Sequence, residues 1–384
     1  MVTHTVKLGD RPLATLTGPL ARALEPIRPD QRLVLSRFAW IRRDAQGIMA
    51  ETSLSPNAVL LQDGRAHLLL YAFAAPRNLD PALARDVSLP LDSAEQVASV
   101  LVAAGILGDE GASAAEDEPP LASWEFHDLL FHACSRPGRR DARFGGTHRF
   151  EDQIAPLPAI VPERWAHKIA LERPDFERLE REDPPLALAQ SLRRSVRDYE
   201  PAPLSLTQLG EFLYRVARVE DYWEMPQGRS TTMSFAPRPY PSGGAAYCLE
   251  LYPAIQACQD IEPGLYHYES GAHELARVSP LTDAVQRLIA RAAAGMASRA
   301  SGMQVLIVIA ARFGRVALKY ESIAYSLVLK EVGVLLQTMY LAATAMQLAP
   351  CAVGTGDSEL FAQAAGLSYY EESSVGEFAL GSGR

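Results

Sequence analysis

Five short segments of this 384-residue chain carry the side chains best suited to chemistry. The first is "ALKYESIAY", where Lys319 and Tyr320 stand side by side ahead of a long apolar run. Helix starts ordinarily show Ser, Thr, Asp or Asn, and this pair offers none of them. A lysine shielded from water beside an apolar helix loses proton affinity and becomes a base near neutral pH. Tyr320 would then donate or relay a proton. The alternative is a lysine whose stem lies along the surface, beside a tyrosine that only packs.

The second segment is "RRSVRDY", from Arg193 to Tyr199. Arg193, Arg194 and Arg197 offer forked, charge-assisted donors to a phosphate, and Ser195 adds a short one. A solvated basic helix end explains the same residues. The third, "RPYPSGGAAY", places Pro241, Ser242, Gly243 and Gly244 in a rigid turn whose backbone can approach a ligand. A plain tight turn before a strand is equally consistent. It lacks the Gly-Lys-Ser/Thr ending of a Walker loop and the spacing of a dinucleotide fingerprint. The fourth comprises "PCAVGTGD", with Val353 and Gly354, and the closing "LGSGR", with Arg384. Such glycine turns after strands suit contact with a flat ring or a phosphate, while Cys351 reads as a small buried residue. In the fifth, "WEFHDLLFHACSRPGRRDARF", His127 and His132 are five apart, share no helix face and make a poor metal pair.

Composition limits the partners. The chain is 48% hydrophobic and 22% charged, with a formal net charge of −9, which speaks against general nucleic-acid binding. A local basic patch survives at Arg136, Arg139, Arg140 and Arg143. Cys134, Cys248, Cys258 and Cys351 show no CxxC pairing, so a reduced, cytoplasmic protein is expected. The N-terminus has no signal-like apolar core. The apolar run after Tyr320 contains Lys330 and Glu331 and reads as a buried helix rather than a membrane span.

The elements that must position these residues fall into three parts. Residues 1–110 read as a small α+β domain, either a winged-helix type or a layer on the main core. In it, 36–54 and 57–75 are each expected as paired strands, the second turning at Asp63-Gly64, followed by a helix opened by Ser93. Residues 111–185 read as a linker, centred on the acidic "GDEGASAAEDEPPLAS", and a further segment containing a helix and a loop. Residues 186–384 carry regular patterning. Helices are expected over 186–200 and from the Ser205 cap onward, with a hairpin about "ESGAHE" and a buried strand "MQVLIVIAARF". A long helix, a short helix at "DSELFAQAAGL" and a closing strand "EFALGSG" follow. The fold class is α+β, a mixed sheet flanked by helices.

Taken in order, "WEFHDLLFHACSR", "RRSVRDY", "RPYPSGGAAYCLELY", "GLYHYESGAHELARV", "KYESIAY", "EVGVLLQTMYLAATA" and "CAVG" resemble the SagB/ThcOx-type azoline dehydrogenases. These are nitroreductase-like flavoproteins of thiazole- and oxazole-modified peptide biosynthesis. The resemblance covers roughly 124–384. It implies a homodimer with FMN at the subunit interface, acting on a heterocyclised precursor peptide beside a cyclodehydratase partner.

Within that resemblance, Arg193 faces the phosphate, Ser195 belongs to the same motif, and Arg197 lies near the pyrimidine edge. Pro241, Ser242, Gly243 and Gly244 match a loop lent to the partner's flavin. Gln337, Val353 and Gly354 fall at further flavin contacts, with the Gly354 amide toward N5, and Arg384 adds charge at the phosphate. Lys319 and Tyr320 match the pair needed for azoline oxidation, Lys319 as base. Departures from the family pattern are Val334, Gln337-Thr338 and "MQLAP", which bear on helix contacts and substrate choice. A general NAD(P)H-dependent nitro or quinone reductase, and a flavin-free peptide-presenting scaffold, are the competing functions.

Overall fold

The computed structural model describes every residue except 1, 20–23, 140–141, 228, 297–301 and 384. The chain divides into two compact units, Met1–Phe144 and Gly145–Arg384. That boundary falls inside the expected 111–185 segment, because the helix Phe126–Cys134 belongs with the first unit.

The first unit holds a five-stranded antiparallel sheet, in the order Val2–Leu8, Arg11–Gly18, Ala58–Leu61, Gly47–Thr52 and Ala39–Asp44. A three-stranded sheet (Arg77–Asn78, Arg32–Leu35, Leu107–Asp109) accompanies helices Gly64–Ala72, Pro81–Asp86 and Leu91–Ala103. Leu13, Leu33, Leu61, Leu69, Phe73 and Val97 form its core.

Three expectations here need correction. Residues 57–75 are not two strands, since Asp63 accepts the Arg65 N–H at 2.9 Å and caps a helix instead of turning a hairpin. The later helix starts at Leu91 after Pro90, two residues ahead of Ser93, because a proline is well suited to a helix entry. The acidic stretch 108–123 is not a free linker. Its Glu116 is buried and accepts from the Ser36 hydroxyl at 2.7 Å and the Arg37 N–H at 3.0 Å. The Arg37 guanidinium donates onward to the Glu116 and Leu121 carbonyls. Of the arginine patch, Arg139 is spent on the Ser53 and Leu54 carbonyls, and Arg140 lies outside the described residues.

The second unit is built on seven strands: β1 (Lys168–Ala170), β2 (Leu249–Ile255), β3 (Gly264–Glu269), β4 (Glu274–Pro280), β5 (Val305–Arg312), β6 (Leu348–Val353) and β7 (Glu372–Ser382). Their spatial order is β1-β4-β3-β2-β5-β7-β6, and every pairing is antiparallel. The α+β class stands, but the sheet is antiparallel where a mixed one was expected. All eight residues of β5 are buried, as a strand covered on both faces requires.

Helices cover both faces: α1 (Leu186–Leu192), α2 (Leu206–Ala217), α3 (Asp283–Gly295), α4 (Ala324–Ala345) and α5 (Ser358–Ala365). Ser205 and Gln208 form a reciprocal capping box at the start of α2, worth about 1 kcal/mol. Leu209, Phe212, Leu213 and Val216 then bury one face against the sheet, each contributing roughly 1.5–3 kcal/mol.

Helix α1 ends at Leu192, short of the expected 200. The next residues are drawn out along the sheet edge, where the Val196 N–H reaches the Pro350 carbonyl at 2.7 Å and Glu200 N–H the Ser382 carbonyl at 3.2 Å. Those external acceptors replace the ones a continuing helix would supply.

Helix α4 carries a mean hydropathy of 1.3 and is long and apolar enough to cross a membrane. It instead lays Val328, Val332, Leu335, Met339 and Ala343 against the core. Tyr325, Leu329, Gly333 and Gln337, spaced four apart in one row, are exposed together with Val334. At Gly333 an added Cβ would meet nothing within 4 Å.

Candidate functional site

The chemistry-bearing residues form two groups. The first is the drawn-out segment after α1. Ser195 Oγ and Tyr340 Oη lie 2.7 Å apart, and Tyr340 Oη accepts the Ala352 N–H at 2.8 Å. The tyrosine proton is therefore available to Ser195, which pins the segment to α4 and β6 together. The Arg193 guanidinium sits 5.2 Å from the Tyr340 ring centroid, a cation–π contact. Arg194 and Arg197 line a cleft of about 770 Å³, bounded also by Ser195, Leu348 and Pro350. Among the described residues, none of these three arginines pairs with a carboxylate. Unpaired guanidinium groups beside a cleft of this size fit a phosphate-bearing ligand.

Val353 ends the same edge strand and is buried, and Gly354 follows it, exposed with open space around it. Gln337 is on the uncovered row of α4. Arg384 lies outside the described residues.

The second group gathers at the glycine turn. Ser242 Oγ donates to Glu331 at 2.6 Å and accepts the Tyr247 N–H at 2.9 Å. Between them the chain takes positive φ at Gly244 (62°), Ala245 (54°) and Tyr247 (43°). Pro241 precedes the turn and is exposed, while Gly243 packs on Leu327. Lys319 and Tyr320 converge on Gly244. Lys319 Nζ stands 3.5 Å from its carbonyl. A Cβ there would come within 2.0 Å of Tyr320 Oη and 3.2 Å of Lys319 Nζ. The pair is presented by a short helix, Gly314–Ala317, and by pairing of Tyr320 with Gly146.

Burial lowers the proton affinity of Lys319, and the nearby Arg315 charge lowers it further. The Tyr320 ring, 5.3 Å from Nζ, opposes this weakly. Burial raises the Tyr320 phenol, so near neutral pH it remains a donor. Arg315 is buried and, among the described residues, donates to the carbonyls of Ala246, Leu157 and Ser234. Burial and the neighbouring Arg312 push it down to about 10. Replacing Gly244 with alanine should cost about 1–2 kcal/mol for the left-handed backbone alone. Thermal melting should fall by roughly 3–6 °C, and Tyr320 should be displaced. A melting curve matching the parent would overturn this reading of the turn.

One chain does not bring the two groups together. Ser195 holds Tyr340 and Ser242 holds Glu331, residues nine apart on α4, hence about 14 Å apart along the axis and half a rotation apart around it. The sheet agrees. Pro350 pairs with Leu380, which pairs with Val305 at one end of β5, whereas Arg312 at the other end donates to the Cys248 carbonyl beside the turn. Those ends are roughly 23 Å apart.

Sequence reasoning assigned no role to Tyr340, Glu331 or Arg315. A lone carboxylate within an apolar helix was a usable signal for Glu331. Nothing local marked the other two.

Comparison with known proteins adds to this geometry. Residues 191–382 match the nitroreductase family model, and residues 33–141 match the model of the cyanobactin oxidase ThcOx. A nitroreductase-family protein of Methanocaldococcus jannaschii is 33% identical over 184 residues, covering 48% of this chain and 83% of the relative. Among solved structures, a nitroreductase-family protein of Ralstonia eutropha JMP134 shows a TM-score of 0.43 at 21% identity, over 59% of this chain and 95% of its own. The Escherichia coli microcin synthetase McbBCD complex with truncated pro-MccB17 bound shows 0.41 at 20% identity, over 51% of this chain and 72% of that one.

Proposed function

The chain belongs to the nitroreductase family of oxidoreductases, and from that premise we propose that it is an FMN-dependent azoline dehydrogenase of peptide biosynthesis. Its substrate is a ribosomally made peptide bearing thiazoline or oxazoline rings, which it oxidises to thiazoles or oxazoles. The observation that carries this reading is the convergence of Lys319 and Tyr320 on an exposed, side-chain-free Gly244. A reductase of small quinones needs no base of this kind. The match of residues 33–141 to a cyanobactin oxidase model supports a peptide as the substrate, and the first unit as its recognition element together with a cyclodehydratase partner.

Aromatising an azoline removes one hydride and one proton from adjacent ring atoms, forming a double bond. Bound FMN would supply the acceptor for the hydride. The proton is left to the protein. The neutral Lys319 amine takes it from the ring carbon, and its depressed proton affinity provides the neutral form. Tyr320 Oη, lying over Gly244, orients the ring and keeps its own proton. The crevice behind Lys319, beside Phe150, Ile154 and Met233, holds only about 20 Å³, room for about one water molecule. The ring therefore approaches from the Gly244 side.

Arg193, Arg194, Arg197 and Ser195 would hold the flavin phosphate and pyrimidine edge. Because they stand far from the glycine turn of their own chain, the site is proposed to be completed by a second copy. The uncovered row on α4 is its contact surface.

The first test is the absorption spectrum of the purified protein, followed by reaction with an azoline peptide. The expected result is an oxidised-flavin spectrum, FMN released on denaturation, and loss of two hydrogens per ring. A protein that takes up no flavin on reconstitution sinks the proposal. Rapid NADPH-driven quinone turnover with untouched azoline peptides would favour a general reductase.

A further inference from the structure

Glu331 is the sole carboxylate of α4, and it lies on the buried face. Its Oε2 accepts from the Ser242 hydroxyl at 2.6 Å and from the Cys248 thiol at 3.6 Å. Its Oε1 is buried without a hydrogen-bond partner. Among the described residues it forms no ion pair; Arg238, Tyr240, Tyr247 and Cys248 are the charged and titratable groups around it. A carboxyl group in such surroundings destabilises the fold unless it is neutral, and burial does raise its proton affinity. A leucine would pack there at lower cost, so the position calls for an explanation in what Glu331 holds.

What it holds is the glycine turn. Ser242 is bonded on one side to Glu331 and on the other to the Tyr247 N–H. The span between contains two non-glycine residues at positive φ, Ala245 and Tyr247. Residues in that region persist only where surrounding contacts over-determine them. Glu331 to Ser242 to Tyr247 is such a chain of contacts. It closes the turn at the point where Gly244 meets Lys319 and Tyr320.

We propose that Glu331 is a positioning residue that, through Ser242, fixes the Ser242–Tyr247 turn so that Gly244 receives Tyr320 Oη and Lys319 Nζ. Removing the acceptor frees Ser242, lets Ala245 and Tyr247 relax, and opens the packing around the lysine amine. A neutral amide of the same shape keeps the Ser242 bond. The consequence for catalysis rests on the proposed role of Lys319 as base, but the placement of its amine does not.

The test therefore reads the amine directly. Full-length parent, Glu331→Ala, Glu331→Gln and Ser242→Ala proteins are acetylated with acetic anhydride across a pH series. Labelling of Lys319 is quantified by peptide mass spectrometry, with the exposed Lys7 as the reagent reference. Glu331→Ala and Ser242→Ala should move the Lys319 labelling midpoint upward by about one pH unit as the amine regains water. Glu331→Gln should leave it within a few tenths. In parallel, kcat on an azoline peptide should fall about 100-fold in Glu331→Ala, with KM within twofold, and recover in Glu331→Gln. An unmoved midpoint in Ser242→Ala, or a Glu331→Gln protein that behaves like the alanine variant, overturns the proposal. Midpoints shifted in both alanine variants, together with a parent protein inert toward azolines, would sustain the positioning role and sink the azoline reading.

Discussion

Replacing Lys319 by methionine should slow azoline oxidation by about 10²–10⁴-fold while FMN content and melting temperature stay near those of the parent. Methionine preserves the length and apolar character of the stem and removes only the amine. The phosphate group of residues, on the other side of α4, is untouched. The pH profile provides a second signature. A base must be neutral to act, so kcat/KM should rise with pH and level off once Lys319 has lost its proton. Burial and Arg315 place that midpoint below the ordinary lysine value of 10.5. The rising limb should vanish in Lys319→Met, leaving slow, pH-independent residual turnover. Steady-state rates from pH 6 to 10 decide it, and a variant retaining both rate and limb would remove Lys319 from the chemistry.

Exchanging Leu329 for glutamate should convert a dimer to a monomer and abolish flavin binding with it. Leu329 is 39% exposed and Val334 36%, on a helix whose opposite face packs against the core. Gly333 between them permits close backbone approach. If two copies meet along this row, a carboxylate there is buried without a partner and should weaken association by at least about 30-fold, roughly 2 kcal/mol. Flavin loss follows because the arginines of one copy and the glycine turn of the other no longer face each other. Sedimentation velocity with absorbance at flavin wavelengths reports both. A wild-type monomer that binds FMN stoichiometrically would refute the shared site.

Local signals were legible where a residue's own neighbours decide its geometry. The Ser205 cap, the hairpin closed between Glu269 and Glu274, and the buried strand β5 could all be read from spacing and residue type. Misreadings occurred where distant segments compete. Arg193–Tyr199 has helical patterning, yet the Pro350 and Ser382 carbonyls draw it out. The segment "PCAVGTGD", read as glycine turns after a strand, is itself strand as far as Val353, because Leu348 onward pairs with β7. Asp63-Gly64 looks like a hairpin turn, and only the Arg65 N–H shows it to be a cap. The candidate site follows the same division. Each motif was visible as residue types, while their separation across α4 depends on helix phase and strand register together. Neither is written in any one motif.

The strand β7 lies between β5 and β6, inside the sheet rather than at its edge. Its last residues are tied inward, with Ser382 Oγ donating to the Ala202 carbonyl at 2.6 Å and the Ser382 N–H to Gln304 at 2.9 Å. During synthesis, then, β5 emerges with one edge unpaired and stays so until residues through Ser382 have left the ribosome. The first unit has all its strands by then and can fold vectorially. The second must wait, with its fully buried strand open along one edge, a state prone to aggregation. Slowed translation within residues 313–371 should prolong that exposure and lower the soluble yield.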